Sequence, residues 1–530
     1  MHRFASRLAA SFSRLRKDQS GATALVIGLA AIPLVMAAGA GVDYGNWVAV
    51  NSRLQAATDA AALAAGRAMN KTEEERRQIA NDYFHSNFGQ PKNSGVPSMT
   101  MVLDELGNIN VTGEVTVKNY LSAVAGFAET KIAAASQVKK ASEGLEIVLV
   151  FDNTGSMGQL NRLNTLKKAA NDFVEILFNG KTENPGLKIG VVPFSQFVNV
   201  GPDKATAFWV DTGGLNTQSH ANFLDPAWHN WTAWQAVNDK QKNLSWPGCV
   251  ESRAGAMSID DTTPDTNNGD TLFPPAFAPD EPGKVSDGQA CHLWDGTRSD
   301  CGDKTNKAVY NNNYMTDSKE DGNSLDVRQR DVGKYGTNKA NTNARGPDKG
   351  CNIQPILALT SKKAPVLDTI KNMKADGYTH VAEGVGWGLR VLSPTEPYTE
   401  GASWNDDTVK KVMVLLTDGE NTFNVDDGAN HNGSSYTAYG FLNQQRLGTS
   451  DYWTGVATQN TMLTQACDLV KSKKVDIYTF SYNVPSATQR DLIKACATDA
   501  EKYYDPKSDE ALVTNFNEIA DEIRRLHLSK

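Results

Sequence analysis

Six cysteines in 530 residues form no C-x-x-C pair, and none stands at zinc spacing from a histidine, so a metal knuckle is excluded. The chain has no G-x-x-x-x-G-K-[ST] loop for nucleotide phosphates. It also lacks a G-x-S-x-G elbow and an H-E-x-x-H helix. Positive charge is in deficit: 53 Lys and Arg against 61 Asp and Glu leave a net charge of −8. Binding to phosphate backbones needs clustered Lys and Arg, so nucleic acid is not expected as a partner. His380 is a lone histidine, and Glu383 and Glu420 are a pair of acids with no predicted substrate cleft, which gives no acid–base machinery. No enzymatic activity is expected.

One basic cluster stands at the start of the chain. Arg3, Arg7, Arg14, Arg16 and Lys17 precede the first acid, Asp18. Residues 21–42 follow without a charge, a stretch long enough to cross a bilayer. The positive-inside rule keeps residues 1–20 in the cytoplasm as a basic tail and exports everything after residue 42. Ala38-Gly39-Ala40 offers a competing signal-peptidase site, with release of the body. A prepilin-type site at Gly21 is less well supported, because Val26 stands where an acid is expected. The reading adopted is a retained anchor at 21–42. The Ala- and Leu-rich residues 43–66 are strongly helical and can continue that segment as one long helix. Alternation at 99–103, 109–117 and 132–138, with a turn at 106–108, predicts a small β module. Residues 43–142 are thus a helical stem with that module.

Three short segments carry the chemistry. Residues 145–151 and 411–416, apolar but for Glu146 and Lys411, suit buried parallel strands, and each leads into a polar loop, through Asp152-Asn153-Thr154-Gly155-Ser156 and Thr417-Asp418-Gly419-Glu420. Ligands collect outside the carboxyl ends of such strands. Asp152 and Asp418 would meet there, and Thr154, Ser156 and Thr379 of Asp376-Gly377-Tyr378-Thr379 can add hydroxyl oxygens. Carboxylates and hydroxyls form a hard oxygen set suited to Mg²⁺, with Mn²⁺ or Ca²⁺ as alternatives. Helical stripes at 163–178, 382–392 and 511–526 alternate with strands at 187–194 and 475–480, as in a doubly wound α/β sheet.

This pattern resembles the metal-ion-dependent adhesion site of von Willebrand factor A domains, D-x-S-x-S with a distant Thr and a distant Asp, with Thr154 in place of the middle Ser. The resemblance implies that Thr154, Ser156 and Thr379 are direct or near-direct ligands, and that Asp152 and Asp418 act partly through water. Residues 21–65, with Val42-Asp43-Tyr44-Gly45 and Leu54-Gln55-Ala56-Ala57-Thr58-Asp59, look like the N-terminus of TadG-type proteins of the tight-adherence (Tad, Flp pilus) system. That likeness covers about 1–66, 143–200 and 352–530. It implies an inner-membrane-anchored pilus-assembly component with its bulk in the periplasm or outside, whose A domain, 143–530, binds a pilin or another secretion component. The other reading is a surface or secreted adhesin, released or outer-membrane associated, that binds a host or matrix ligand.

Residues 200–351 would be a large insertion in that domain, outside the resemblance and rich in Asn, Asp, Gly, Thr and Pro. Its six tryptophans, Trp209, Trp228, Trp231, Trp234, Trp246 and Trp294, argue against full disorder and fit a core role. An even cysteine count in an exported chain predicts disulfides. Cys467 and Cys496 lie on successive predicted helices and are expected to pair; Cys249, Cys291, Cys301 and Cys351 allow three connectivities. Residues 260–270 hint at calcium but lack the spaced ligands of a loop that binds it, and read as a solvated turn.

Overall fold

A computed structural model describes residues 20–68, 71–104, 108–138, 144–241, 244–282, 310, 312–315, 325–337, 345–424 and 432–524. The chain divides into two compact units, Met1–Ala141 and Ser142–Lys530.

In the first unit, helix α1 (Ser20–Arg67) is one continuous element. Its earlier half leaves Ile27, Leu29, Leu34, Val35 and Met36 exposed, and it is long and apolar enough to cross a bilayer. Its later half buries Val50, Leu54, Ala57, Ala61 and Ala65, a stripe at helical spacing. That stripe packs on α2 (Glu73–Phe88), which a Thr72–Glu75 capping box starts, and on a meander of β1 (Ser98–Leu103), β2 (Ile109–Lys118) and β3 (Glu129–Val138). All three strands are antiparallel neighbours in chain order. Gly113 lets the helix and the sheet approach: a Cβ there would meet Phe84 and Thr58 at 2.8 Å.

The second unit is built on β4 (Gly144–Asp152), β5 (Leu187–Phe194), β9 (Val409–Thr417), β10 (Asp476–Ser481) and β11 (Tyr503–Tyr504), all parallel in the order β11-β10-β9-β4-β5. The edge continues antiparallel through β6 (Val198–Asn199) and β7 (Cys249–Val250), while β8 (Leu357–Thr360) pairs with β5. Alternate strand residues feed two cores, as the period of two requires. Leu145, Ile147, Leu149 and Phe151 meet α3 (Arg162–Phe178), α5 (Lys363–Asn372) and α9 (Asp509–Ile523). Val148, Val150, Val192 and Phe194 meet α6 (Val381–Leu392), α7 (Tyr452–Ser472) and α8 (Ala487–Cys496).

Among the described residues, 200–351 do not make a core of their own. Helix α4 (Asn230–Lys240) supplies Trp234, which joins Trp209 and Trp246 in the same cluster as Val148 and α6. Trp228 and Trp231 pack partly buried against it, and Trp294 lies outside the described residues. Helix α6 is therefore buried on every side, and its glycines make room: a Cβ at Gly384 would meet the Phe194 ring at 2.5 Å. Arg390 of α6 donates to the carbonyls of Ser258 and Asp260, and its guanidinium lies over Phe273. Arg253 stacks on the same ring and donates to the carbonyls of Met257 and Thr262. Within 260–270, Asp260 pairs with Arg253 and Asp270 accepts from Thr217, so these carboxylates hold turns. Disulfides join Cys467 to Cys496 and Cys249 to Cys351; Cys291 and Cys301 lie outside the described residues.

Candidate functional site

Asp152 closes β4 and Asp418 directly follows β9, so two adjacent parallel strands deliver both carboxylates to one edge of the sheet. The backbone after Asp152 is fixed from both sides. Asn153 N–H donates to the Phe194 carbonyl, Asp376 N–H to the Asn153 carbonyl, and Gly155 N–H to the Gly377 carbonyl. The side chain of Asn153 turns away, with Nδ2 donating to the Lys374 carbonyl.

Asp152 Oδ1 accepts from Thr154 N at 2.8 Å and from Thr154 Oγ1 at 2.6 Å, while Oδ2 accepts from Thr417 Oγ1 at 2.6 Å. Ser156 Oγ lies 3.0 Å from Thr154 Oγ1 and donates to Asp418 Oδ1 at 2.6 Å. Thr379 stands on the turn before α6, where its carbonyl accepts from Thr422 N. Its Oγ1 faces the same spot: a Cβ on Gly419 would sit 3.3 Å from Thr379 Oγ1 and 3.8 Å from Ser156 Oγ. All five residues singled out in the sequence are thus brought to one place.

Two residues there carry no sequence signal. Thr417 is an ordinary strand position until its hydroxyl is seen on Asp152. Arg162, the first residue of α3, donates Nη1 to Asp418 Oδ2 at 2.7 Å and is mostly buried. It brings one positive charge to two buried carboxylates. Burial, and then the neighbouring Asp418 charge, push Asp152 up to about 7.

The donor chemistry fits a hard divalent cation. Two carboxylates in contact with three hydroxyls give an all-oxygen set whose negative charge is only partly offset by Arg162. Among the described residues no group of three or more His, Cys, Asp or Glu side chains gathers, so hydroxyls would have to complete any such shell.

The site opens into a cavity of about 890 Å³. Ser156, Thr379 and Glu420 line one side, and Arg345, Asp348 and Lys349 line another, so residues on both sides of position 351 share it. Burial lowers the Lys349 ammonium to about 8. Gln196 braces the wall, accepting from Tyr378 N and donating to the Tyr436 carbonyl. His380 and Glu383 do not face it: His380 is buried between Phe423 and Tyr439, and Glu383 accepts from Trp387 and Tyr439.

Fold and site together define a mixed α/β protein with an apolar N-terminal helix and a polar crevice at the carboxyl edge of its parallel sheet. Residues 21–68 match the Tad family model, that of Flp pilus-assembly TadE/G-like proteins, so the N-terminal segment is TadE/G-like. No curated protein sequence matches the chain. Among solved structures it is similar to the vWF domain of the type V pili tip protein Mfa5 from Porphyromonas gingivalis, at 10% identity and a TM-score of 0.33, over 73% of this chain and 98% of that one. It is similar to the pilus adhesin SpaC from Lactobacillus rhamnosus GG at 13% identity and 0.31, over 83% of this chain. For the pilus adhesin RrgA from Streptococcus pneumoniae the values are 10% and 0.31, over 82% of this chain. The chain spans 36% of the length of SpaC and 49% of that of RrgA. With scores this low, the fold rests on the strand order and the site on its own geometry.

Proposed function

We propose that this chain is a membrane-anchored component of a Tad/Flp pilus assembly system. Its second unit is a doubly wound von Willebrand factor A domain with residues 200–351 inserted into it, and it holds a protein partner through a divalent cation. The observation that carries this reading is the contact between Ser156 and Asp418, 262 positions apart, beside Asp152, Thr154 and Thr379. Those five residues would hold the cation, Mg²⁺ before Mn²⁺ or Ca²⁺, since the set is all oxygen and only two members are charged. When bound, the cation supplies an electrophilic centre for an oxygen ligand from the partner. Thr417 and Thr154 orient Asp152, and Arg162 fixes Asp418 and lowers the local negative charge.

The TadE/G-like match over 21–68 and the exposed apolar half of α1 support residues 21–42 as the anchor. The basic residues before it support export of the body. The partner is then a pilin or another component of the same machine.

The test is a chromosomal Asp152→Ala strain with protein level checked by blot. Loss of surface pili at normal protein level is the expected result. Normal pili with lost adhesion would move the site to ligand binding at the surface, as in an adhesin. Survival of both would leave the domain as a scaffold and end the metal reading of function.

A further inference from the structure

The connection between β2 and β3, residues 119–128, ends in an apolar tip that faces outward. Leu121, Val124 and Phe127 are 42%, 83% and 69% exposed, and Tyr120 beside them is 55% exposed. Scattered exposed apolar residues are ordinary, but a contiguous patch on one turn marks a contact surface. The patch is held in place by hydrogen bonds. Asn119 N–H donates to the Ala128 carbonyl, Phe127 N–H to the Ser122 carbonyl, and Gly126 N–H to the Ala123 carbonyl. Gly126 takes φ +94°, which a residue with a side chain rarely adopts. Asp43 of α1 binds the turn from the other side, its carboxylate accepting from the N–H groups of Tyr120, Leu121 and Ser122.

The position of this tip along α1 says what covers it. Asp43 is the first charged residue after the apolar run 21–42, and Leu121 lies against Gly39, where a Cβ would meet the Leu121 Cβ at 2.4 Å. Asp43 lies four helical steps beyond Gly39, about 6 Å along the axis at about 1.5 Å per residue. Interfacial elements bury their apolar face about 5–10 Å into the headgroup and acyl boundary. Tyr44 and Trp47 follow at that level, with Trp47 Nε1 donating to Asn119 Oδ1, the amphipathic aromatic pairing that favours a membrane surface. At the base of the tip, Lys118 faces Glu129 across the ladder, so local charge cancels and the contact rests on apolar area.

We propose that the 119–128 turn dips into the lipid surface beside α1, as a second and monotopic membrane contact. Leu121, Val124 and Phe127 enter the acyl boundary, and Asp43 locks the turn to the helix at that depth. This rests on reading 21–42 as the anchor. With two fixed points the unit takes one tilt on the bilayer, where a single helix leaves it free to swivel.

The test uses the full chain in phosphatidylcholine vesicles, with spin labels at Val124→Cys, Leu34→Cys and Glu74→Cys and the unsubstituted protein labelled in parallel for background. Collision rates with oxygen, which partitions into lipid, and with a water-soluble nickel complex are compared. The expected oxygen-to-nickel ratio at Val124 is several-fold above that at Glu74 and below that at Leu34, and is unchanged when anionic lipid is added. A Val124 ratio as low as at Glu74, with Leu34 reading lipid, overturns the proposal and leaves the anchor standing. A low ratio at Leu34 removes the anchor and the proposal together. Shielding of Val124 from both probes means that protein, a second copy or a partner, covers the turn, and also overturns it.

Discussion

Asp152→Asn changes one atom and one charge at the centre of the site, and the geometry predicts two separable consequences. Without a cation the change is mild. The amide oxygen can keep both bonds from Thr154. The new NH₂ group can donate to Thr417 Oγ1, whose proton then turns to the Gly419 carbonyl 3.3 Å away. One weakened hydrogen bond costs about 1 kcal/mol, and relief of repulsion with Asp418 offsets part of it. With a cation the picture reverses. A ligand at about 100 times its Kd stabilises the native state by about 2.7 kcal/mol. For a unit of roughly 390 residues the unfolding entropy is about 0.8 kcal/mol per degree, so the midpoint shifts by about 3 °C. Thermal unfolding of the full chain in EDTA, and then in saturating Mg²⁺, Mn²⁺ or Ca²⁺, reads both terms. The wild type should gain a few degrees with at least one cation, while Asp152→Asn should match it in EDTA and gain nothing. A wild-type midpoint indifferent to all three cations, or a variant that still responds, would refute the reasoning.

Other parts of the molecule make equally direct predictions. Three backbone donors, Ser122 foremost, hold the Asp43 carboxyl down at about 2. A depressed acid contributes fully above its unfolded value near 3.8 and loses that contribution as pH falls through about 2, so the protection of the amides at residues 120–122, relative to free-peptide exchange, should hold down to about pH 4 and then fall. Asp43→Ala should show low protection at these amides at every pH. Joining Cys467 to Cys496 closes a loop of 29 residues, which restricts the unfolded chain by roughly 3–4 kcal/mol, so the double Ser variant should lose about that much in urea unfolding. Glu251 is buried, with Oε2 2.6 Å from Arg446 Nη1 and Oε1 accepting from Asn230 and Tyr436. Glu251→Ala strands the guanidinium and should cost about 3–5 kcal/mol; a loss under about 1 kcal/mol would mean that water reaches Arg446.

How far the sequence foretold this structure depended on the range of the signal. Residues 147–151 and 412–416 are unbroken apolar runs that lead to Asp152 and, through Thr417, to Asp418, and burial on both faces leaves such runs little alternative to parallel strands. Once they are strands, their carboxyl ends meet, and Thr154 and Ser156 follow by proximity. Arg162 and Thr417 were not legible, because each acquires its role only from a partner more than 250 positions away. Strands β6 and β7 have two residues each, too few to show a period. The partner of Cys249 depended on the path of a segment without periodicity. The Val42-Asp43-Tyr44-Gly45 segment gives Asp43 no partner in the sequence, because the turn it binds lies 77 to 79 positions further on.

The bond between Cys249 and Cys351 has a mechanical consequence. It closes 102 residues into a covalent ring whose neck sits at the sheet edge, on β7, with Cys351 next to the cavity wall. If the chain were pulled from its two ends, tension entering at the neck would cross one sulfur–sulfur bond and continue, bypassing everything between. Fully extended, that stretch measures roughly 350 Å at about 3.4 Å per residue. While the ring is closed none of that length can pay out under force. Reduction would turn a stiff joint into a long and compliant tether.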